Sequence, residues 1–175
     1  MQKKFNDIKK SYEEFSRELL KKGRLPVKDT GIGYWGVAVC DEVYGLFKKM
    51  NLQKYPSFID LGSGDGRVAM IASLFTKSYG IEYDEELHKK AVEIRDKHNL
   101  DVELFNSDFL QHDLSPYSII FIQPDDHISK RLEPKLLREM TGKLIVHGPL
   151  YHPKVLTKHM DHDINGLLCS VWGKE

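Results

Sequence analysis

Apolar residues follow two different periods along this 175-residue chain. In the first segment they recur at three- and four-residue steps, which predicts a helix over residues 3–22 with one apolar face. That face contains Phe5, Ile8, Tyr12, Phe15 and Leu19. Beyond residue 55, short apolar runs alternate with segments of helical period, and this alternation predicts an α/β fold built on a mostly parallel sheet.

Seven apolar runs are predicted as strands. Five are expected to be parallel and lie at residues 58–61, 78–82, 102–105, 117–122 and 143–147. The last two, at about 154–160 and 167–173, flank Asn165-Gly166, which is a strong hairpin signal. Helices are predicted around residues 37–47, after residue 68, over 84–98 between Asp84 and Asn99 as caps, and over about 127–140, where Pro134 interrupts or restarts the helix. Together these elements predict a mostly parallel sheet that is closed by an antiparallel C-terminal hairpin.

The most informative stretch is the turn after the first of these strands, Asp60-Leu61-Gly62-Ser63-Gly64-Asp65-Gly66-Arg67. Three alternating glycines permit a sharp turn and a close approach to the backbone, and the helix that follows offers unpaired N–H groups. The spacing is G-x-G-x-G, because Arg67 stands where a dinucleotide-binding loop needs glycine, and no P-loop is present. Twenty residues after Gly62, Glu82 ends the second strand, where an acidic side chain can accept hydrogen bonds from ribose hydroxyls.

The glycine turn resembles motif I of the class I, Rossmann-like methyltransferases that depend on S-adenosylmethionine. Residues 55–150 are similar to the small archaeal and mitochondrial protein-lysine methyltransferases of the Dot1-like group, through Asp60–Arg67, through Gly80-Ile81-Glu82-Tyr83, and through segments 118–124 and 132–147. The resemblance implies a seven-stranded methyltransferase sheet and S-adenosyl-L-methionine as the methyl donor. It also makes a protein lysine the leading acceptor.

The resemblance further implies a set of cofactor-binding residues. Asp108 stands where such enzymes place an acid that accepts from the adenine amino group, and Phe109 is placed to contact the adenine ring, although Asp108 is also a good turn cap. The whole expected set is Asp60, Gly62, Ser63, Gly64, Gly66, Glu82, Tyr83, Asp108, Phe109 and Gln123.

The acceptor is expected beside the turn that follows the fourth strand, since ligands bind beyond the carboxyl ends of parallel strands. Asp125, Asp126 and His127 are the catalytic candidates there, because a carboxylate can hold an ammonium and a carboxylate or imidazole can take its proton. The same residues are common in ordinary turns. His147 is a further candidate after the fifth strand. The histidines at 147, 152, 159 and 162 lack metal-ligand spacing, so no metal is predicted.

Charge is unevenly distributed, although the formal net charge is zero. Residues 1–28 contain nine Lys or Arg and four Asp or Glu, so the first helix has a basic face. We expect one methyltransferase domain over residues 1–175, with 1–50 as an N-terminal helical extension or lid and 55–175 as a Rossmann-like core. Residues 1–22 are expected to be dispensable for folding. A loop with Tyr34 and Trp35 follows and can cover a ligand or pack its own rings.

Cys40 and Cys169 lack a pairing pattern, and neither a signal peptide nor a membrane span is visible, which predicts a cytoplasmic protein. The acceptor stays open at this stage. The basic helix is compatible with RNA, and the aromatic loop with a small molecule. A non-catalytic S-adenosylmethionine-binding module is an alternative of another class, and a dehydrogenase is disfavoured by Arg67. Neither the acceptor nor the oligomeric state follows from the sequence.

Overall fold

The computed structural model describes residues 1–175. Its α-helices are α1 (Gln2–Lys21), α2 (Cys40–Met50), α3 (Arg67–Ala72), α4 (Glu85–Lys97) and α5 (Leu132–Glu139). Its strands are β1 (Val27–Asp29), β2 (Tyr34–Gly36), β3 (Ser57–Leu61), β4 (Lys77–Glu82), β5 (Val102–Asn106), β6 (Ile119–Ile122), β7 (Lys143–His147), β8 (Thr157–Ile164) and β9 (Leu167–Gly173). No helix is both long enough and apolar enough to span a bilayer.

Seven strands form one sheet in the order β5-β4-β3-β6-β7-β9-β8. The first five are mutually parallel, and β9 runs antiparallel to both of its neighbours, so the predicted sheet and its closing hairpin are confirmed. The central strand β3 has β4 on one side and β6 on the other, because the order of the strands reverses there. Leu61 pairs with both Ile81 and Ile122, so these three strands end side by side and open a crevice beyond their carboxyl ends.

Strand periodicity divides the core between the two faces of the sheet. Phe58 packs in a cluster with α1, α2, α3 and α4, whereas its neighbours Ile59 and Leu61 pack in a second cluster with α5 and Trp172. Phe5, Ile8 and Tyr12 are each 2% exposed or less, which argues against the expectation that residues 1–22 are dispensable for folding. Helix α1 therefore provides part of the core.

Several predicted boundaries differ from the structure. The strand predicted at about 154–160 is β8, which runs from residue 157 to 164, and the helix predicted around 37–47 is α2, residues 40–50. The helix predicted from residue 127 begins at Leu132, and Pro134 lies in its first turn, where the missing N–H breaks no helical bond. The predicted strand from residue 117 begins at Ile119. The hairpin turn is confirmed, since Asn165 and Gly166 both have positive φ angles, as a two-residue type I′ turn requires.

The caps of α4 are close to their predicted places. The Asp84 side chain accepts a hydrogen bond from the Leu87 N–H and caps the N-terminus as expected. The C-cap is His98, and Asn99, predicted to be the cap, follows it in a left-handed conformation with φ 47°.

Candidate functional site

The turn between β3 and α3 relies on its glycines. Gly62, Gly64 and Gly66 have φ angles of 71°, 55° and 81°, which other residues adopt at a cost. A Cβ at Gly66 would lie 2.8 Å from the Cβ of Ala91, so this glycine also allows α3 to pack closely against α4. The turn thus combines a left-handed backbone with close helix packing.

A buried ion pair supports the same turn from below. The guanidinium of Arg67 lies 2.6 Å from the carboxylate of Asp65 and donates to the carbonyl of Ala38 at 3.0 Å. Tyr12 on α1 donates its hydroxyl to the Asp65 carbonyl at 3.1 Å, and its ring lies 4.9 Å from the Arg67 guanidinium carbon. The sequence analysis used Arg67 only to exclude a dinucleotide-binding loop and did not predict this network. The one sequence feature that could have indicated it is a charged residue at the start of an apolar helix.

Glu82 reaches the glycine turn from the end of β4. Its Oε2 accepts from the Gly64 N–H and its Oε1 from the Asp84 N–H, both at 2.7 Å. Burial raises the pKa of Glu82, and these backbone donors oppose that effect by stabilising the carboxylate. One carboxylate therefore holds two backbone segments together, and each oxygen keeps a second lone pair for another donor.

A main cavity of about 480 Å³ lies beyond the carboxyl ends of the central strands. Nine of the predicted site residues line it: Gly62, Glu82, Tyr83, Asp108, Phe109, Gln123, Asp125, Asp126 and His127. Asp60 and Ser63 line an adjoining small cavity of about 50 Å³. Gly64 and Gly66 line neither cavity. The structure thus brings the predicted cofactor and acceptor residues to one place.

Asp60 is the most deeply buried acid of this group, with 3% of its surface exposed. Burial raises its pKa well above the usual range, and the nearby carboxylates of Glu82 and Asp65 add to this effect. Gly62 and Gln123 line both cavities, so the small cavity adjoins the main one. A cationic group bound here would favour the ionised form of Asp60.

Three other acids of the main cavity already hold backbone N–H groups. Asp108 accepts from the Leu110 N–H at 2.8 Å and caps a short 3₁₀ turn, and Asp126 accepts from the His127 N–H at 2.6 Å. Asp125 accepts from the Tyr34 N–H and joins the β6 turn to the β1–β2 hairpin. The cavity lining contains four carboxylates, with Glu82 as the fourth, against the two cations Lys130 and Arg131, which makes it electronegative.

The aromatic segment predicted as a loop is a β-hairpin, in which Lys28 pairs with Trp35. The Lys28 ammonium lies 2.8 Å from Asp84 and 2.7 Å from Glu86, so α4 fastens one side of the hairpin and Asp125 fastens the other. The Trp35 indole lies against Gly64 so closely that an added Cβ would overlap it. Tyr34 and Trp35 line the cavity, as the covering role requires.

His147, the remaining acceptor-side candidate, lies beneath the cavity. Its Nδ1 is 3.0 Å from Oε1 of Gln123, and it is 5% exposed. Burial lowers the pKa of His147 to about 4, so the imidazole is neutral at physiological pH. His147 lines neither cavity, but its hydrogen-bond partner Gln123 lines both.

Comparisons with known proteins agree with this arrangement. Residues 32–132 match the family described as Histone methylation protein DOT1. The ATP synthase C-subunit lysine N-methyltransferase of Caenorhabditis elegans is 31% identical over 132 residues, which cover 73% of this chain and 68% of that protein.

Two solved structures share the fold. The RNA methyltransferase of Salinibacter ruber, in complex with S-adenosyl-L-homocysteine, has a TM-score of 0.66 at 21% identity and covers 78% of this chain and 92% of its own. The ribosomal protein L11 methylase of Lactobacillus delbrueckii subsp. bulgaricus has a TM-score of 0.64 at 14% identity, covering 79% and 81%.

The fold and the family match together define a class I methyltransferase that depends on S-adenosylmethionine. The chain belongs to the DOT1 family. This confirms the predicted enzyme class and cofactor.

Proposed function

We propose that the enzyme transfers a methyl group to the side-chain amine of a lysine in a protein. The acidic turn after β6 carries this proposal, since the carboxylates of Asp125 and Asp126 line the cavity there and favour a positively charged acceptor. The other two acids of the lining, Glu82 and Asp108, belong to the proposed cofactor site. The name of the C. elegans relative, a lysine N-methyltransferase, supports the same acceptor chemistry.

The residues present fit the cofactor. We propose that Gly62, Ser63, Gly64 and Gly66 form the backbone cradle, that Asp60 and Gln123 line its floor, and that Glu82 accepts from the ribose hydroxyls. Tyr83, Asp108 and Phe109 are proposed to hold the adenine end. When bound, S-adenosylmethionine would supply an electrophilic methyl group on a sulfonium sulfur, and the sulfur would leave as a neutral thioether when a neutral amine takes the methyl.

On the acceptor side, Asp126 and His127 are the proposed catalytic pair. The second carboxylate oxygen of Asp126 can hold the lysine ammonium, while His127 or solvent takes the proton that the amine must lose. Asp125 is proposed to act by holding the β1–β2 hairpin over the cavity rather than as a base, because its carboxylate accepts from the Tyr34 N–H.

We also propose that residues 1–175 work as one methyltransferase domain. Within it, residues 1–50 provide the covering hairpin and its supports, and residues 55–175 provide the cofactor-binding core. The ion pairs of Lys28 with α4 and the hydrogen bond of Tyr12 to the glycine turn join these two parts and support a single domain.

The acceptor is tested with S-adenosylmethionine that carries a labelled methyl group, mixed with the enzyme and either purified core histones or a cell extract. The expected result is label in protein, resistant to nuclease and to base, that is recovered as methyl-lysine after hydrolysis. Label recovered in RNA or in small molecules would overturn the lysine assignment.

A matched pair of variants shows whether any label depends on the proposed site. In Glu82→Gln one backbone N–H faces an amide NH₂ instead of an oxygen, so affinity for S-adenosylmethionine should fall about 10- to 100-fold. Glu85→Gln, three residues along, changes an exposed side chain and should leave the affinity unchanged. Equal affinities of the two variants would remove Glu82 from the cofactor site.

A further inference from the structure

Strand register brings Gln123 and His147 together at the carboxyl end of the sheet. Ile122 on β6 pairs with Val146 on β7, so Gln123 and His147 are the next residues along two neighbouring parallel strands. Gln123 lines both the main and the small cavity, whereas His147 is buried behind it against the ring of Phe121, at a centroid distance of 5.6 Å. The buried imidazole of His147 is therefore linked to the site by its hydrogen bond to Gln123.

The unpartnered nitrogen of His147 determines the direction of that bond. Nδ1 lies 3.0 Å from the Gln123 carboxamide, but Nε2 is buried and has no hydrogen-bond partner. If Nδ1 were the acceptor, the proton of the neutral imidazole would sit on Nε2 and leave a buried donor unsatisfied, which is the rarer and costlier defect. The proton is therefore on Nδ1, which donates to Oε1 of Gln123.

The direction of this hydrogen bond fixes the orientation of the Gln123 carboxamide. With Oε1 held by the imidazole, the amide NH₂ group is turned away from His147 and offers two N–H donors to the cavities. Such N–H donors are suited to an oxygen atom of a bound molecule and not to an ammonium, which has no lone pair to accept a hydrogen bond. The opposite carboxamide orientation would present an acceptor at the same place.

We propose that His147 is a positioning residue, which holds the Gln123 carboxamide with its N–H groups facing the molecules bound in the methyl-transfer site. The inference rests on the proposed function only in treating Gln123 as a residue that contacts ligand. The low pKa of His147, about 4 because of burial, agrees with a neutral donor at physiological pH.

The test uses the full-length enzyme and two variants at position 147. His147→Phe keeps a ring beside Phe121 but removes the donor, whereas the amide N–H of His147→Asn can take the place of Nδ1–H. We expect both His147→Phe and Gln123→Ala to lower S-adenosylmethionine affinity or the methyl-transfer rate about tenfold or more, and His147→Asn to stay within about threefold of wild type.

The double variant separates positioning from a structural role. If His147 acts through Gln123, His147→Phe should cause no further loss in a Gln123→Ala background. Additive losses, or a change in melting temperature with unchanged affinity and rate, would overturn the proposal, as would a Gln123→Ala enzyme with wild-type affinity and rate. Affinity for S-adenosylmethionine is measured without any acceptor, so failure of the lysine assignment does not affect this readout.

Nitrogen-15 NMR of the wild-type protein gives a second test that needs neither turnover nor a variant. Between pH 5.5 and 8, His147 should appear as a neutral ring with its proton on Nδ1. A ring protonated on Nε2, or a charged imidazolium, would contradict the assigned bond.

Discussion

At the scale of single residues, His147 has a clear effect on stability. Nε2 of this residue is the only fully buried side-chain nitrogen or oxygen without a hydrogen-bond partner. Burial lowers the pKa of His147 to about 4, whereas the pKa of a histidine in the unfolded chain is about 6.5. Between these values the unfolded chain binds a proton that the folded chain does not, so stability falls as the pH decreases from 6.5 to 4.

His147→Phe should therefore reduce the sensitivity of the fold to acid. We expect the wild type to lose about 2–3 kcal/mol more unfolding free energy than the variant between pH 7.5 and 4.5, measured by urea denaturation. Burial also lowers the pKa of four other histidines, but these are common to both proteins and cancel in the difference. Parallel pH profiles would show that the His147 proton is not excluded from the folded state.

Spacing and chemistry predicted which residues meet at the site, but not how each is engaged. Gly62, Glu82 and Asp108 lie at the carboxyl ends of three parallel strands, whose common edge brings them together. The hydrogen bond of Asp125 could not be predicted, because its donor, the Tyr34 N–H, lies 91 residues earlier in a hairpin that no local pattern indicated. Short-range sequence patterns do not encode such long-range pairs.

At the scale of elements, α1 links the core to the ligand turn. Phe5 stacks on Tyr44 of α2 with ring centroids 4.1 Å apart, and Tyr12 contacts Asp65 and Arg67. The periodicity of apolar residues predicted the helix, yet the basic residues on its other face suggested a peripheral role. Periodicity shows that a face is buried, but the depth of burial depends on the partner surface.

Two substitutions on α1 distinguish a core helix from a dispensable one. Ile8 is fully buried, so Ile8→Ala should cost about 2–5 kcal/mol of unfolding free energy, whereas Lys10→Ala on the exposed face should change it by less than about 0.5 kcal/mol. Chemical denaturation measures both. Similar small losses at the two positions would mean that α1 is only loosely attached.

One misplaced element lies beside the site. Helix α5 starts five residues later than predicted, because residues 123–131 form irregular turns that line the cavity instead of a helix. Apolar spacing alone could not reveal this, since Ile128 and Leu132 are both buried and also fit a helical period. Function is concentrated where the chain departs from regular structure.

At the scale of the whole molecule, the site joins parts of the chain that are distant in sequence. Its cavity is lined by the β1–β2 hairpin and by the segments after β3, β4, β5 and β6, and α1 supports the glycine turn from the other side. A ligand that binds such a site stabilises all of these contacts at once, because it binds the folded chain and not the unfolded one.

S-Adenosylmethionine should therefore raise the melting temperature of the full-length protein. At a concentration 100 times Kd the expected stabilisation is about 2.7 kcal/mol, which corresponds to a shift of about 5–10 °C for a chain of this size. Differential scanning calorimetry over a range of concentrations measures the shift, and the rise should be logarithmic in ligand.

Two glycine variants make this measurement specific to the proposed cradle. Gly64 and Gly23 both have left-handed φ angles, 55° and 70°, so replacement by alanine strains the backbone similarly at each position. Only at Gly64 would the new Cβ overlap Trp35, whereas nothing lies within 4 Å of the Cβ position at Gly23. Both variants should melt earlier than wild type without ligand, but Gly23→Ala should keep the ligand-induced shift and Gly64→Ala should lose most of it. Equal shifts would place the donor away from the β3–α3 turn, because strain alone would then account for every effect of Gly64→Ala.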